Sequence, residues 1–535
     1  MRSSLSFLRE RWEVAALLLA AALVYQPWAA TALPILDFSE FLPILTAHSS
    51  PFAQFAETAR YMATQGRFCP LLFAYIVATW NLFGMWAPGW HFSYFVLNAA
   101  VIVVAQSFFV RLGAKRVAVI FALAIWTFSP PVAAGWLRPT GEPIGLLLML
   151  AALSQAYNFS DAPDWRSRAV VIAVLAIGMI AAKEMLVVLL PAVWLMTRLT
   201  HHDGKWEWAP WSKRDAVVTA ASFAATIAAL VPVAFVARTA PAGNYAGRYG
   251  SVPFSLDAFI TRLEVATLPS RAELPKFVQL VNDPLWQWWL GFPNYMWITV
   301  VLVAVTIVFM RGRGNRTGSY WPLVLGALWL LPGVMAYVPW PSEATFYMLP
   351  FALGLTFVAA HAFSSVLERK SSGIIAFSAV AAILAISMIE ARDLVDEHDL
   401  RVQTDQSILE AASRAGRNLP LYAAVPAPAA PGIFGWGKKL GEYGRAAGMI
   451  SPSRAIDVGC VEGMQRARMH EAAIIVSAAE GCGSLGGETI VVVQSVPRHR
   501  WPWILEKKGN RRMAFVTRAG ERVAAEKPKT ENAAR

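Results

Sequence analysis

Long apolar stretches constrain this chain more than any other feature. Uncharged hydrophobic runs of about 18 residues or more recur through the first ~390 residues, which is the length a helix needs to cross a bilayer. Charged residues make up 15% of the chain and hydrophobic residues 56%, whereas soluble domains carry roughly 25% charged residues. The sequence therefore predicts a polytopic α-helical membrane protein.

The apolar runs predict about eleven transmembrane helices. They cover residues 14–32, 92–110, 117–134, 143–157, 169–199 (two short spans divided at Lys183-Glu184), 216–236, 296–310, 321–338, 346–364 and 373–389. Residues 66–84 are also apolar, but counting them as a crossing would place the basic cluster at Arg111 on the outer side. We therefore predict that this segment lies at the outer interface or re-enters the membrane.

The loops between the spans carry basic clusters that set the orientation. The clusters are Arg9/Arg11, Arg111/Lys115/Arg116, Arg166/Arg168, Arg198 to Arg214, Arg311/Arg313/Arg316 and Arg369/Lys370. With eleven crossings they all fall on the side of the N-terminus, which the positive-inside rule makes the cytoplasm. This predicts a bacterial-type inner-membrane protein with an extracytoplasmic C-terminal region. The net charge of +12 is thereby accounted for, so the predicted partner is the lipid bilayer and not nucleic acid.

The composition changes near residue 390. We predict a transmembrane domain over residues 1–390, a small extracytoplasmic α/β domain over 391–523 that binds acceptor or glycan, and a disordered polar tail over 524–535. A charged amphipathic helix opens the second domain. Short strands follow at LPLYAAV, EAAIIVSAA, ETIVVVQSV and RMAFVTRAG.

Three cysteines are present, and none lies in a CxxC or Cys/His metal motif. Cys460 and Cys482 form a disulfide if their domain is extracytoplasmic, or they are two free buried thiols; the sequence leaves both open. The glycine-rich stretch GCGSLGG has no following helix, so no nucleotide cofactor is expected.

Two carboxylates, Asp37 and Glu40, follow the first span in ILDFSEFLPIL. Charged groups this near the hydrocarbon are costly, and they commonly serve function. The predicted topology places further polar residues from later loops on the same face: Arg138, Glu142, Lys183, Arg248, Glu343 and Tyr347. Such a face suits a substrate with an anionic head and a lipid tail, because Arg and Lys hold phosphate oxygens and a carboxylate takes a proton from an attacking hydroxyl.

Each of these groups also has a structural interpretation. Arg138 with Glu142 fits a salt bridge at a helix end, and Lys183-Glu184 fits a polar turn between two helices. Arg248 fits a solvated loop residue. Asp37 and Glu40 fit the cap of the helix that follows them, since acids are favourable near a helix N-terminus.

The order of these features resembles the GT-C glycosyltransferase superfamily, which includes the protein O-mannosyltransferases and the bacterial aminoarabinose transferases. The shared features are an early acid in the first outer loop, the juxtamembrane segment GRFCPLLFAYIVATWNLFG, the acidic turn in RPTGEPIGLLLML, and the helix pair broken at a lysine in GMIAAKEMLVVLLPAVWLM. The chain departs from the pattern in the D-x-x-E spacing of its first acids and in its turn acid, which is Glu142 where many relatives have Asp. It also has Glu343 to Tyr347 where an Arg-Tyr pair is usual.

The resemblance implies an enzyme that moves a sugar from a polyprenyl-phosphate donor to a lipid, glycan or protein acceptor on the outer membrane face. It implies that Asp37 is the catalytic base and that Glu40 is a second acid, for acceptor positioning or for a divalent metal. Lys183 and Arg138 would contact the donor phosphate.

Two other classes of function fit the apolar pattern. A transporter or lipid flippase places charges on broken helices near the midplane and often has inverted repeats. A non-catalytic scaffold for envelope assembly would not need Asp37 chemically.

Overall fold

The fold was analysed in a computed structural model of the chain. It describes residues 12–34, 38–202, 205–240, 253–256, 258–259, 321–338, 345–367, 370–425, 436–451, 455–459, 473–478, 488–495 and 511–519. The chain divides into two compact units. The first comprises Met1–Ala30 and Phe55–Val395, and the second comprises Thr31–Gln54 and Asp396–Arg535. The sequence placed one boundary near residue 390, whereas here residues 31–54 belong to the same unit as the C-terminal region.

Helices dominate the described part of the chain. In chain order they are α1 (Trp12–Tyr25), α2 (Leu42–Ala47), α3 (Pro51–Thr64), α4 (Pro70–Phe83), α5 (Ala87–Arg111), α6 (Arg116–Thr127), α7 (Pro130–Trp136), α8 (Glu142–Ala156), α9 (Trp165–Ala182), α10 (Leu190–Met196), α11 (Lys213–Thr239), α12 (Trp321–Tyr337), α13 (Leu349–Val366), α14 (Lys370–Gly416) and α15 (Trp436–Ala446). Four 3-10 helices accompany them: η1 (Pro27–Ala29), η2 (Phe159–Asp161), η3 (Glu184–Leu189) and η4 (Thr345–Met348).

Four of the described helical segments are long and apolar enough to cross a membrane. They are Trp12–Ala29, Ala87–Arg111, Trp165–Ala182 and Lys213–Thr239. Shorter apolar helices coincide with other predicted spans, among them α6, α8, α12 and α13. The predicted span 296–310 lies outside the described residues, so the count of eleven stays a prediction. The C-terminal span and the charged helix predicted after it form one continuous helix, α14.

Helix α11 has a stripe of exposed apolar side chains of the kind that contacts lipid in membrane proteins. Its exposed side chains include Phe223, Ile227, Val231 and Phe235. They recur every four residues and therefore form one stripe of the helix. An apolar stripe that the described part of the chain leaves exposed is costly in water and favourable in hydrocarbon.

Three of the predicted basic clusters come together at one end of the bundle. The guanidinium of Arg111 lies 4.1 Å from the ring centroid of Tyr157. Arg168 donates a hydrogen bond to the carbonyl oxygen of Tyr157 over 3.2 Å, and Arg214 donates to that of Ser160 over 2.9 Å. A short antiparallel hairpin of β1 (Leu199–His202) and β2 (Lys205–Trp208), which the sequence analysis did not predict, lies within this basic region.

The second unit contains a mixed five-stranded sheet. Its strands are β3 (Leu421–Val425), β4 (Ala455–Gly459), β5 (Ala473–Ala478), β6 (Glu488–Ser495) and β7 (Arg511–Ala519). The order is β4-β3-β5-β7-β6, with β3 parallel to both its neighbours and β7 antiparallel to both of its own. Helix α15 connects the parallel strands β3 and β4 and packs against β4. Four of the strands match the four predicted segments to within two residues at their starts, and β4 was not predicted.

Candidate functional site

The site is built around an interruption between two apolar helices. Helix α9 ends at Ala182 because Lys183 adopts extended backbone, with φ −159° and ψ 119°. The chain continues as the 3-10 helix η3 and returns to α-helix at α10, where Pro191 is in the first turn. A proline there loses no hydrogen bond, since the first helical N–H groups have no partner inside the helix. The predicted division of the long apolar run at Lys183-Glu184 is therefore where the helix breaks.

Two glycines let helix α8 approach this break closely. A Cβ built on Gly141 would lie 2.0 Å from the carbonyl oxygen of Ala182, and one on Gly145 would lie 1.9 Å from Cδ1 of Leu186. Small residues four apart on one helix face permit such approach between membrane helices. The consequence is that Glu142, the first residue of α8, reaches the residue after Ala182.

That residue is Lys183, and the two charges form a buried ion pair. The Lys183 Nζ lies 3.2 Å from Oε1 of Glu142, and the two side chains are 8% and 1% exposed. Neither carboxylate oxygen of Glu142 accepts a hydrogen bond from the residues that the structure describes. The ammonium also lies 4.7 Å from the ring centroid of Tyr347, which is a cation–π distance. A buried carboxylate is usually held by several hydrogen bonds, so this one is compensated mainly by the charge of Lys183.

A second ion pair lies next to the first along the chain. The carboxylate of Glu184 is 3.8 Å from Nε of Arg67, and the thiol of Cys69 donates a hydrogen bond to its other oxygen. Burial and the negative charge of Glu184 raise the pKa of Cys69 to about 12. The thiol therefore stays protonated at neutral pH and acts as a donor, not as a nucleophile.

Tyrosine side chains connect the two ion pairs. The rings of Tyr337 and Tyr347 stack at 5.2 Å with an interplanar angle of 12°. Four charged residues interact electrostatically with Tyr347: Arg67, Arg138, Glu142 and Glu184. Arg138 itself is half-buried in the loop between α7 and α8. The aromatic pair thus joins elements from both halves of the first unit into one cluster.

The structure assembles only some of the residues predicted for the site. Lys183, Glu142 and Tyr347 come together, and Arg138 interacts with Tyr347. Glu40 belongs to the second unit, where its Oε1 is 3.3 Å from Nζ of Lys439. The predictions for Asp37, Arg248, Glu343, Cys460 and Cys482 concern positions outside the described residues.

Four members of the cluster were absent from the predicted set of site residues: Arg67, Cys69, Glu184 and Tyr337. Arg67 and Cys69 meet Glu184 in space although more than a hundred residues separate them from it in the chain. One signal in the sequence pointed to them: Arg67 and Cys69 lie in the GRFCPLL motif and Glu184 in the broken-helix motif. The pairing between the two motifs depends on tertiary packing.

A divalent metal does not fit the described part of this cluster. No group of three or more His, Cys, Asp or Glu side chains with the arrangement of a metal site occurs among the described residues. At Glu142 the neighbouring positive charge is the Lys183 ammonium, and it would repel a cation at the same carboxylate. We therefore derive no step through a metal.

Comparison with known proteins returned structures but no sequence relative. No protein-family model matches the chain, and no curated protein matches it at the significance required. The crystal structure of ArnT from Cupriavidus metallidurans in the apo state is similar at 11% identity, with a TM-score of 0.46, over 94% of this chain and 98% of that one. The same protein bound to undecaprenyl phosphate is similar at 13% identity, with a TM-score of 0.42, over 94% and 97%.

A third structure is the cryo-EM structure of the arabinofuranosyltransferase AftD from Mycobacteria. It is similar at 13% identity, with a TM-score of 0.44, over 95% of this chain and 40% of that one.

Proposed function

We propose that this chain is a membrane glycosyltransferase that transfers a sugar from a polyprenyl-phosphate-linked donor to a lipid, glycan or protein acceptor. We further propose that the reaction takes place on the outer face of an inner membrane, with the N-terminus in the cytoplasm. The observation that carries the proposal is the buried Lys183 at the broken end of an apolar helix. Ionisable groups placed so near the hydrocarbon are rare in structures and commonly contact a substrate.

Lys183 has the properties of a phosphate ligand. Its side chain is 8% exposed, so water competes little for its charge. Its carboxylate partner, Glu142, accepts no hydrogen bond among the described residues. A phosphate oxygen can therefore replace the Glu142 contact without breaking a hydrogen-bonded network. Arg67 and Arg138 add positive charge near the same tyrosine, which suits a headgroup with more than one anionic oxygen.

The position of the cluster suits a lipid-linked donor. It lies at the ends of apolar helices, so a polyprenyl chain can remain in hydrocarbon while its phosphate reaches Lys183. A soluble sugar donor would gain nothing from such a position, because its whole body would have to leave water. This argument favours a membrane-anchored phosphate over a free one.

Asp37 is the proposed catalytic base. The acceptor hydroxyl oxygen forms a bond to the anomeric carbon of the sugar, and the bond from that carbon to the phosphate oxygen breaks. The hydroxyl proton passes to the Asp37 carboxylate, and the polyprenyl phosphate leaves with the bonding electron pair. Glu142 and Glu184 are less suited to take that proton, because each is already paired with a cation.

The test measures transfer of labelled sugar from membrane-bound donor by variants expressed at matched levels. Asp37→Asn is expected to lose about 10²- to 10⁴-fold in rate, the usual contribution of a general base. Lys183→Gln is expected to raise KM for the lipid donor more than it lowers kcat. Arg168→Gln, at the other end of α9, is the matched control and should retain wild-type transfer. Full activity of Asp37→Asn would remove it as the base, and an unchanged KM in Lys183→Gln would remove the phosphate site.

The orientation has its own test. In a background with Cys460→Ser and Cys482→Ser, a cysteine introduced at Lys115 should resist membrane-impermeant maleimide in intact cells and react after lysis. Labelling in intact cells would place this loop outside and overturn the proposed topology. Donor flipping without sugar transfer by the purified protein would instead favour a lipid flippase.

A further inference from the structure

The first polar loop of this chain belongs structurally to its C-terminal region. Residues Thr31–Gln54 form one compact unit with Asp396–Arg535, although 341 residues separate the two segments in sequence. The loop contains α2, and α2 packs against α15. The unit therefore includes both the segment around Asp37 and the helix that links β3 to β4.

A buried ion pair fixes this association. Lys439 on α15 donates a hydrogen bond from Nζ to Oε1 of Glu40 over 3.3 Å. The side chains of Lys439 and Glu40 are 7% and 13% exposed. Buried pairs contribute little net stability, because desolvation offsets their attraction, but they penalise any arrangement that separates the charges. The ion pair therefore fixes the position of the loop more than it stabilises the fold.

Apolar contacts hold the same residues from both sides. Phe38 and Leu42 flank Glu40 and are fully buried, and on α15 Leu440, next to Lys439, is fully buried as well. A close approach of α15 to α14 at Gly444, where an added Cβ would lie 2.9 Å from Cδ2 of Leu409, restricts the helix from its other side. The ion pair is thus held in a packed environment on both elements.

The C-terminal end of the loop is held by the side chain of Gln54. Nε2 of Gln54 donates to the carbonyl oxygens of Leu45 and His48 over 2.9 and 2.8 Å, and Gln54 is itself buried. Buried amides with satisfied hydrogen bonds rigidify the backbone they contact. The loop is therefore fixed at its C-terminal end as well as at Glu40.

We propose that Lys439 is a positioning residue for the catalytic loop, acting through Glu40 on the segment that carries Asp37. The inference rests on the proposed function, since it takes Asp37 as the base. In the sequence, Asp37 precedes the buried Phe38 by one residue and Glu40 by three. The C-terminal unit then serves the reaction by holding this loop, which differs from the acceptor or glycan binding that the sequence suggested.

The test reverses the charge of Lys439 alone and then the charges of both residues of the pair. Lys439→Glu places two carboxylates at the buried site, and we expect kcat to fall about 10- to 100-fold with KM for the lipid donor unchanged, as for a misplaced catalytic group. The exchange Lys439→Glu with Glu40→Lys should restore most of the rate. Lys439→Met, which keeps the length of the side chain without its charge, provides a milder variant if Lys439→Glu fails to fold. Arg445→Glu, at an exposed position of the same helix, is the matched control and should leave kcat unchanged.

A readout that does not need activity separates this inference from the proposed function. The rate of amide hydrogen exchange in residues 38–47 should rise in Lys439→Glu. It should return to the wild-type rate in the double variant Lys439→Glu with Glu40→Lys, and Arg445→Glu should not change it. Unchanged exchange and unchanged kcat in Lys439→Glu would overturn the inference, and so would a lowered kcat that the charge exchange does not restore. Absence of transfer by the wild-type protein would overturn the proposed function and the catalytic role of the loop, and the exchange data would still decide whether Lys439 holds it.

Discussion

Helix α9 carries an ion pair at each end, and the two pairs differ in their access to water. At its N-terminal end, Arg168 Nε lies 2.9 Å from Oδ1 of Asp164, and the side chains are 25% and 54% exposed. At its C-terminal end, Lys183 lies 3.2 Å from Glu142, and the side chains are 8% and 1% exposed. The distances are similar, so burial and not geometry separates the two pairs.

The neighbours of the two cations differ in the same way. Arg168 also donates to the carbonyl oxygen of Tyr157, next to a second arginine that stacks on the Tyr157 ring. These contacts give the charge of Arg168 a structural role at the basic end of the bundle. Lys183 has the Glu142 carboxylate and the face of Tyr347 as its nearest described partners, and it also interacts electrostatically with Glu184. A cation that backbone oxygens hold therefore serves the structure, whereas a buried cation held by side chains alone can exchange one of them for a ligand.

The largest expected effect comes from removing one partner of each pair. Lys183→Met leaves a buried carboxylate uncompensated and is expected to destabilise the protein by about 3–5 kcal/mol. Arg168→Met is expected to cost about 0.5–1.5 kcal/mol, because it removes an exposed i,i+4 pair and one hydrogen bond to the Tyr157 carbonyl oxygen. Thermal or denaturant unfolding in detergent measures both changes.

The corresponding double variants sharpen this contrast. Lys183→Met combined with Glu142→Leu should recover most of the lost stability, because no buried charge remains. The losses in unfolding free energy caused by Arg168→Met and by Asp164→Leu should be additive in the double variant. Equal coupling energies at the two ends would show that burial is not what distinguishes them.

A smaller effect is expected from the packing that creates the buried end. Gly141→Ala directs a methyl group at the Ala182 carbonyl oxygen and should destabilise by about 1–3 kcal/mol, the usual cost of overpacking. Gly178→Ala, within α9, directs its Cβ at a flexible Leu148 methyl group 3.0 Å away. It should be nearly neutral, since alanine favours the helix over glycine by about 1 kcal/mol. Unfolding midpoints of the two variants test this, and equal losses would contradict the role of Gly141 in the approach of α8.

The smallest effect concerns the thiol at the buried end. Because the pKa of Cys69 is raised from 9.0 to about 12, the thiolate is absent at pH 9, where an ordinary thiol is partly ionised. Cys69 should therefore resist maleimide in the folded protein up to that pH, and Cys69→Ala should cost about 1 kcal/mol, the value of one hydrogen bond. A cysteine at the exposed position Ser167, on the same helix, should react readily. Rapid labelling of Cys69 in the native state would refute the burial of this end.

Members of the cluster could be predicted where one charged residue interrupts or borders an apolar run. Lys183 interrupts a long apolar run, so its charge marked the helix break, and Glu142 stood out at the start of another apolar helix. Arg67 was visible in the sequence only as part of the GRFCPLL motif. Its pairing with Glu184 required the packing of α4 and α9, which no local pattern encodes.

The sequence alone determined the membrane class of this protein and the two-ended distribution of its charges, because hydrophobicity and loop charge act locally and can be read residue by residue. Tertiary structure alone decided which carboxylate meets which cation. Glu142 reaches Lys183 because glycines allow two helices to touch, and Glu40 pairs with Lys439 across almost 400 residues of chain. Such pairings depend on where whole elements pack, and only the folded chain brings those elements together.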